Sequence, residues 1–176
     1  SDYEIVDQKG KTQYFRPKIL AYIGLLIGIT IILGFMGSTK EHMLLNINKE
    51  PRMYSTARLF DEVVQVDNSY IFLLQNTENK KMKFFFEVVT PENVNGKIVI
   101  AKPTKAFSVI PGSKKKKIVT LRTEDVLIDD IRKDTIIPVT IHAYALNEDG
   151  TKSEKVSVIR HSTFIFPKRS ILEEAQ

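Results

Sequence analysis

Between Ile19 and Gly37 the chain carries no charged residue. At about 1.5 Å per residue a helix over this run reaches roughly 28 Å, close to the roughly 30 Å of a bilayer's hydrocarbon core. A core helix of a small soluble domain keeps a polar face, and this run has none. Pro17 suits the first turn of a helix, where its missing N–H costs nothing. Tyr14, Phe15 and Tyr22 stand where interfacial aromatics belong, with Arg16 and Lys18 as a basic flank. The expectation is one transmembrane helix over 17–37. A cleavable signal fits poorly, because Asp2, Glu4 and Asp7 lie before the run and no A-x-A site follows it. The Arg16/Lys18 pair favours a cytoplasmic N-terminal side, which makes 1–16 a cytoplasmic lead and puts 38–176 outside the inner membrane. Residue 1 is Ser, so the chain is expected to be a processed or cut piece. Gly24-x-x-x-Gly28 is the spacing that lets two membrane helices approach closely, although glycine is also common in such helices for no such reason.

Some 139 residues follow Gly37, enough for one domain with its own core. A net charge of +5 is a mildly basic surface with a weak pull toward anionic lipid, not a nucleic-acid signature. The absence of cysteine excludes from this chain a disulfide, a thiolate nucleophile, a zinc–thiolate site and an iron–sulfur cluster.

From residue 42 onward the chain is a series of short apolar or alternating runs: 43–47, 63–76, 82–89, 96–101, 105–110, 116–121, 136–146 and 155–166. Tyr70, Phe72 and Leu74 share one face at period two, as do Met82, Phe84, Phe86 and Val88. β-Branched and aromatic residues dominate. Asn147, Asp149 and Gly150 form a hairpin connector before the last strand. With no amphipathic helix in between, the expected fold is an all-β, immunoglobulin-like sandwich of about seven strands after one transmembrane helix. Residues 123–133 are expected to be loop with at most one helical turn.

Candidate chemistry is sparse. His42, His142 and His161 are the three imidazoles. His142 and His161 fall on the final hairpin, but His142 alternates to the face opposite Val139, Ile141 and Ala143, so a metal site there lacks a third ligand. Met36, Met43 and Met53 beside His42 offer thioethers for Cu(I), or simply apolar filler. Lys114–Lys117 reads as a solvated strand start that discourages aggregation, or as a contact for lipid headgroups or an acidic partner. Asp129–Asp130 reads as a solvated loop pair. Asn68 and Asn76, at the ends of the long strand, read as structural residues that satisfy turn backbone. No catalytic triad, phosphate loop or carboxylate pair stands out.

Three segments carry a resemblance. GKTQYFRPKILAY (10–22) is similar to the lead into the last membrane span of the FixG/CcoG/RdxA family, accessory proteins of cbb-type cytochrome c oxidase assembly. VVQVDNSYIFLLQNTENKKMKFFFEV (63–88) resembles that family's N-x-Y-x-L/F-x-I/L-x-N strand, on Asn68, Tyr70, Phe72, Leu74 and Asn76. STFIFPKR (162–169) resembles its closing strand, from Phe164 to Pro167. The resemblance implies the C-terminal part of a bacterial inner-membrane electron-transport protein, with its immunoglobulin-like domain in the periplasm. It implies two [4Fe–4S] clusters in a cytoplasmic ferredoxin-like region, and a role in copper handling. Every cluster cysteine is missing from this chain, so no cofactor ligand carries over. The implied partners are membrane lipid, other transmembrane helices of the same protein, and oxidase subunits or copper-delivery proteins. The alternative is an independent single-span envelope protein with a chaperone or adhesion domain.

Overall fold

Without charges to solvate, the run that opens the chain closes its hydrogen bonds internally. The computed structural model describes residues 17–38, 41–49, 54–58 and 64–174, and the chain divides into two units between Lys40 and Glu41. In the first unit, helix α1 (Pro17–Ser38) starts on proline as expected. It is long and apolar enough to cross a membrane. Leu20, Leu25, Leu26, Ile31, Ile32 and Leu33 are each half or more exposed, on all sides of the helix. Its one hydroxyl among the described core positions, Thr30, donates to the carbonyl of Leu26 at 2.8 Å, which satisfies it without water. The flanking Tyr14, Phe15 and Arg16, and the rest of the 1–16 lead expected to be cytoplasmic, lie outside the described residues.

The second unit is a two-sheet sandwich. Its strands are β1 (Met43–Lys49), β2 (Ser55–Arg58), β3 (Val64–Asn76), β4 (Met82–Val89), β5 (Val99–Lys102), β6 (Phe107–Val109), β7 (Lys114–Thr123), β8 (Thr135–Leu146) and β9 (Lys152–Phe166). One sheet runs β1-β3-β7-β5, with β2 also on β3; the other runs β6-β4-β8-β9. All pairings are antiparallel. β1 covers the Tyr70–Asn76 half of β3 and β2 covers the Val64–Asp67 half, so the two act as one interrupted edge strand. The chain changes sheets between β3 and β4, β4 and β5, β5 and β6, β6 and β7, and β7 and β8, as a Greek-key sandwich requires. Nine strands among the described residues replace the seven expected. β2, whose sequence is STAR, holds one apolar residue and gives no alternating signal. Residues 124–134 contain no helix, as read; a short helix that was not expected, α2 (Arg169–Glu174), follows β9.

Alternation decides the core. Val66, Tyr70, Phe72 and Leu74 of β3, with Val119 and Leu121 of the neighbouring β7, face Phe84 and Phe86 of β4, Ile141 and Ala143 of β8, and Phe164 and Phe166 of β9. Phe72 and Phe86 meet edge to face with centroids 4.9 Å apart, and Phe107 adds to Phe86 at 5.7 Å. This aromatic cluster joins the sheets without a disulfide. The β8–β9 hairpin turns at Gly150, with φ +84°; Asp149 accepts from the Thr151 amide at 2.9 Å.

At Gly96, φ is +143° and an added Cβ would lie 2.4 Å from the Asp125 Cβ. The Asp125 carboxylate also accepts from the Lys97 amide at 2.9 Å. Gly96→Ala is therefore expected to cost roughly 1–3 kcal/mol, measured as a lowered thermal midpoint in detergent.

Candidate interaction surfaces

Gly24 and Gly28 lie one turn apart on α1, and a Cβ at either meets nothing within 4 Å. They leave a shallow notch of backbone on α1, as Gly34 and Gly37 do further along, and such a notch is the shape a second helix uses for close approach.

The two asparagines of β3 are structural, but only one works through a turn. Asn76 ends the strand. Its amide donates to the carbonyls of Lys80 and Val109, at 2.8 and 2.9 Å, and its Oδ1 accepts from the Glu78 amide at 3.0 Å. Its backbone bonds Ser113 and Gly112. The 77–81 and 110–113 turns are thereby stitched together. Asn68 is not at a strand end: it is the fifth residue of β3 and fully buried. It reaches across the sandwich, donating to the Ile165 carbonyl at 2.9 Å and accepting from the Ile165 amide at 2.8 Å. Tyr70 donates to the Thr163 carbonyl at 2.6 Å, and burial pushes its phenol pKa above the ordinary range. At Thr163 and Ile165 the outward backbone edge of β9 is thus occupied by side chains from the other sheet. Lys49 adds a bond to the Thr163 hydroxyl at 3.0 Å. Arg160 of β9 donates back to the Leu45 carbonyl and pairs with Glu41. Arg160 was missed because a lone arginine in an alternating strand reads as solvent-facing.

The lysine run lies within β7, and alternation splits it. Lys114 and Lys116 are exposed. Lys115 and Lys117 turn over the Phe107 ring, at 5.7 and 4.8 Å from its centroid, and Lys115 also donates to the Ser108 carbonyl at 3.1 Å. Two of the four lysines therefore cover the open flank between β7 and β6, their stems packed and their charges on the ring. This corrects the reading of all four as solvated.

The metal readings find different neighbours. His161 lies 3.3 Å from the Thr140 hydroxyl, and His142 packs its ring on Tyr144 at 5.5 Å. His42 sits 2.5 Å from Glu78 and so ties the start of β1 to the 77–81 turn. Met43 is fully buried in the sandwich core, which removes it from a thioether cluster at the membrane exit. Met53 lies outside the described residues. Among the described residues, no group of three or more His, Asp or Glu is placed to hold a metal.

Asp129 and Asp130 hold the C-terminal segment. Asp129 pairs with Arg169, and the carbonyl of Asp130 accepts from the Arg169 amide at 2.8 Å. The Arg169 hydrogen bond lowers the Asp129 pKa; the amides of Arg132 and Lys133 lower that of Asp130. Groups with depressed folded values stabilise the fold above the unfolded carboxylate value of about 3.9, and lose that contribution as pH falls through the folded value. The unfolding midpoint is expected to fall as pH drops below about 4, with a shallower fall in Asp130→Asn; a pH series of thermal melts on both chains reads it.

With this geometry in hand, the comparisons with known proteins decide the family. The family described as "IG-like fold at C-terminal of FixG, putative oxidoreductase" matches residues 33–167. The chain belongs to this family. The FixG-type match spans the last turns of α1 and every strand, and so includes Asn68, Tyr70, Asn76 and the closing Phe164–Pro167. A crystal structure of a FixG-related protein from Vibrio parahaemolyticus is similar at 13% identity and a TM-score of 0.44, over 74% of this chain and 99% of that one. No curated protein matches the chain.

Proposed function

We propose that this FixG-type segment is the non-catalytic anchor and interaction domain of a membrane iron–sulfur redox protein that assists cbb-type cytochrome c oxidase assembly and copper handling. In this reading α1 spans the bacterial inner membrane and packs through Gly24 and Gly28 on other spans of the same protein. The sandwich stands in the periplasm and docks an oxidase subunit or copper-delivery protein. The observation that carries the reading is the family match over most of the chain, joined to a helix apolar enough to span. The [4Fe–4S] clusters belong to a part of the protein outside this cysteine-free chain.

Docking in this reading uses faces and loops. The end of β9 has Thr163 and Ile165 bonded to Tyr70 and Asn68, β1 has the Leu45 carbonyl bonded to Arg160, and β5 and β6 are four and three residues long, so each edge is short or partly closed. Strand addition, the mechanism of an independent envelope chaperone, needs a long free edge.

The test is the intact mass of the native protein in its source membranes, with an iron assay on the same sample. A mass far above 20.1 kDa with bound iron is expected. A mass near that value without iron overturns the reading and favours the independent anchored sandwich. Gly24→Leu/Gly28→Leu is expected to weaken association of the helix with its partner spans, read by cross-linking in the same membranes.

A further inference from the structure

The two turns stitched by Asn76 gather lysines. Lys80, Lys81 and Lys83 come from the 77–81 turn and the start of β4; Lys114 and Lys116 come from the start of β7. All five are exposed, and none is in an ion pair among the described residues. Ile110, at the tip of the adjoining turn, is 59% exposed. Across a cleft from Lys80, Lys81 and Lys83 stand Glu148 and Asp149, which offset part of their charge. Of the other acids of this end, Glu41 pairs with Arg160 and Glu78 hydrogen-bonds the His42 ring. Lysines thus outnumber acids at this end, where β1 begins. In sequence, residues 39–42 alone separate that beginning from the apolar helix.

We propose that this basic end, with Ile110 at its tip, is a contact surface for anionic phospholipid headgroups. The inference rests on the reading of α1 as a membrane span. Exposed lysines around one exposed apolar side chain fit a headgroup layer, which offers phosphates to the ammonium groups and an apolar margin to the isoleucine. The tether extends to at most about 14 Å, at about 3.5 Å per residue. That keeps an anionic surface at high effective concentration for lysines whose attraction falls off within a Debye length. A protein partner with acidic side chains is the competing occupant. The short tether favours lipid, because the membrane is present whenever the helix is inserted.

The chain lacks cysteine, so a single Ser113→Cys or Glu124→Cys can be labelled alone. The whole 176-residue chain is inserted into nanodiscs of phosphatidylcholine, with or without about 30 mol% phosphatidylglycerol, carrying a headgroup-linked energy acceptor. Transfer from residue 113 is expected to be about twofold higher in the anionic discs, to fall in high salt, and to be lost in Lys80→Gln/Lys81→Gln/Lys114→Gln/Lys116→Gln at an unchanged thermal midpoint. Transfer from residue 124, at the opposite end of β7, is expected not to respond. Equal transfer in both lipids overturns the lipid contact, as does a signal that survives in the neutralised variant. Polyglutamate binding in neutral discs without any lipid response reassigns the surface to an acidic protein. Extraction of the chain from vesicles by alkaline carbonate overturns the spanning helix itself, separately from the lipid contact.

Discussion

Phe72→Ala is expected to lower the stability of the sandwich by about 3–5 kcal/mol, the usual cost of truncating a buried phenylalanine. Phe72 is fully buried, at the middle of the longest strand of its sheet. It touches Phe86 edge to face at 4.9 Å and Tyr70 at 6.3 Å. Those partners come from both sheets, so the void opens at the layer boundary and cannot close by moving one side chain. With no disulfide to hold the sheets together, and total stabilities of domains near 5–15 kcal/mol, the variant is expected to unfold at markedly lower temperature. A melt in detergent reads it, and Phe72→Leu, which keeps most of the volume, is expected to recover more than half of the loss. A shift below about 1 kcal/mol would mean that the cluster is not what joins the sheets.

Asn68→Leu is expected to cost about 2–6 kcal/mol, although it replaces a polar group in an apolar core. Leucine fills the space but leaves the amide and carbonyl of Ile165 without partners, and each orphaned buried group costs about 1–3 kcal/mol. Asn68→Asp tests the geometry. A carboxylate keeps the acceptor for the Ile165 amide but sets a buried charge against the Ile165 carbonyl, so a loss at least as large as in Asn68→Leu is expected at neutral pH, shrinking at lower pH as the acid regains an O–H donor. Amide exchange at Ile165, followed in the same variants, should accelerate before the rest of β9 does. If exchange there is unchanged, the bond across the sandwich is not protecting that edge.

Much of the fold was legible because burial on one face writes itself as alternation. Tyr70, Phe72 and Leu74, or Met82, Phe84 and Phe86, announce both strand and core side without any neighbour being known. β2 was not legible: a four-residue edge strand buries nothing on either face, and it exists because β3 extends past the end of β1 and offers free backbone. The roles of individual polar residues were harder to read, because they depend on which strands the topology brings opposite. Asn68 shows no local sign that its partner is Ile165. Lys115 and Lys117 look like their neighbours Lys114 and Lys116 until Phe107 is placed beside them. Met43 reads as a thioether beside His42 or as apolar filler, and it packs as core, since alternation in β1 turns it inward. The glycine pair on α1 was legible as a motif, and its partner is a matter for the cross-linking experiment.

The bonds that seal β9 also set an order of events during synthesis. Asn68 and Tyr70 leave the ribosome early, yet their partners Ile165 and Thr163 follow 97 and 93 residues later. At synthesis rates of about 5–20 residues per second, those residues wait for seconds with their polar groups unpaired. During that interval β3 and β4 expose the phenylalanine faces that β8 and β9 later bury. The nascent domain is thus an open half-sandwich, tethered by an apolar helix that is made first. Its completion depends on the last strand to emerge, and until then a holding chaperone has a defined target.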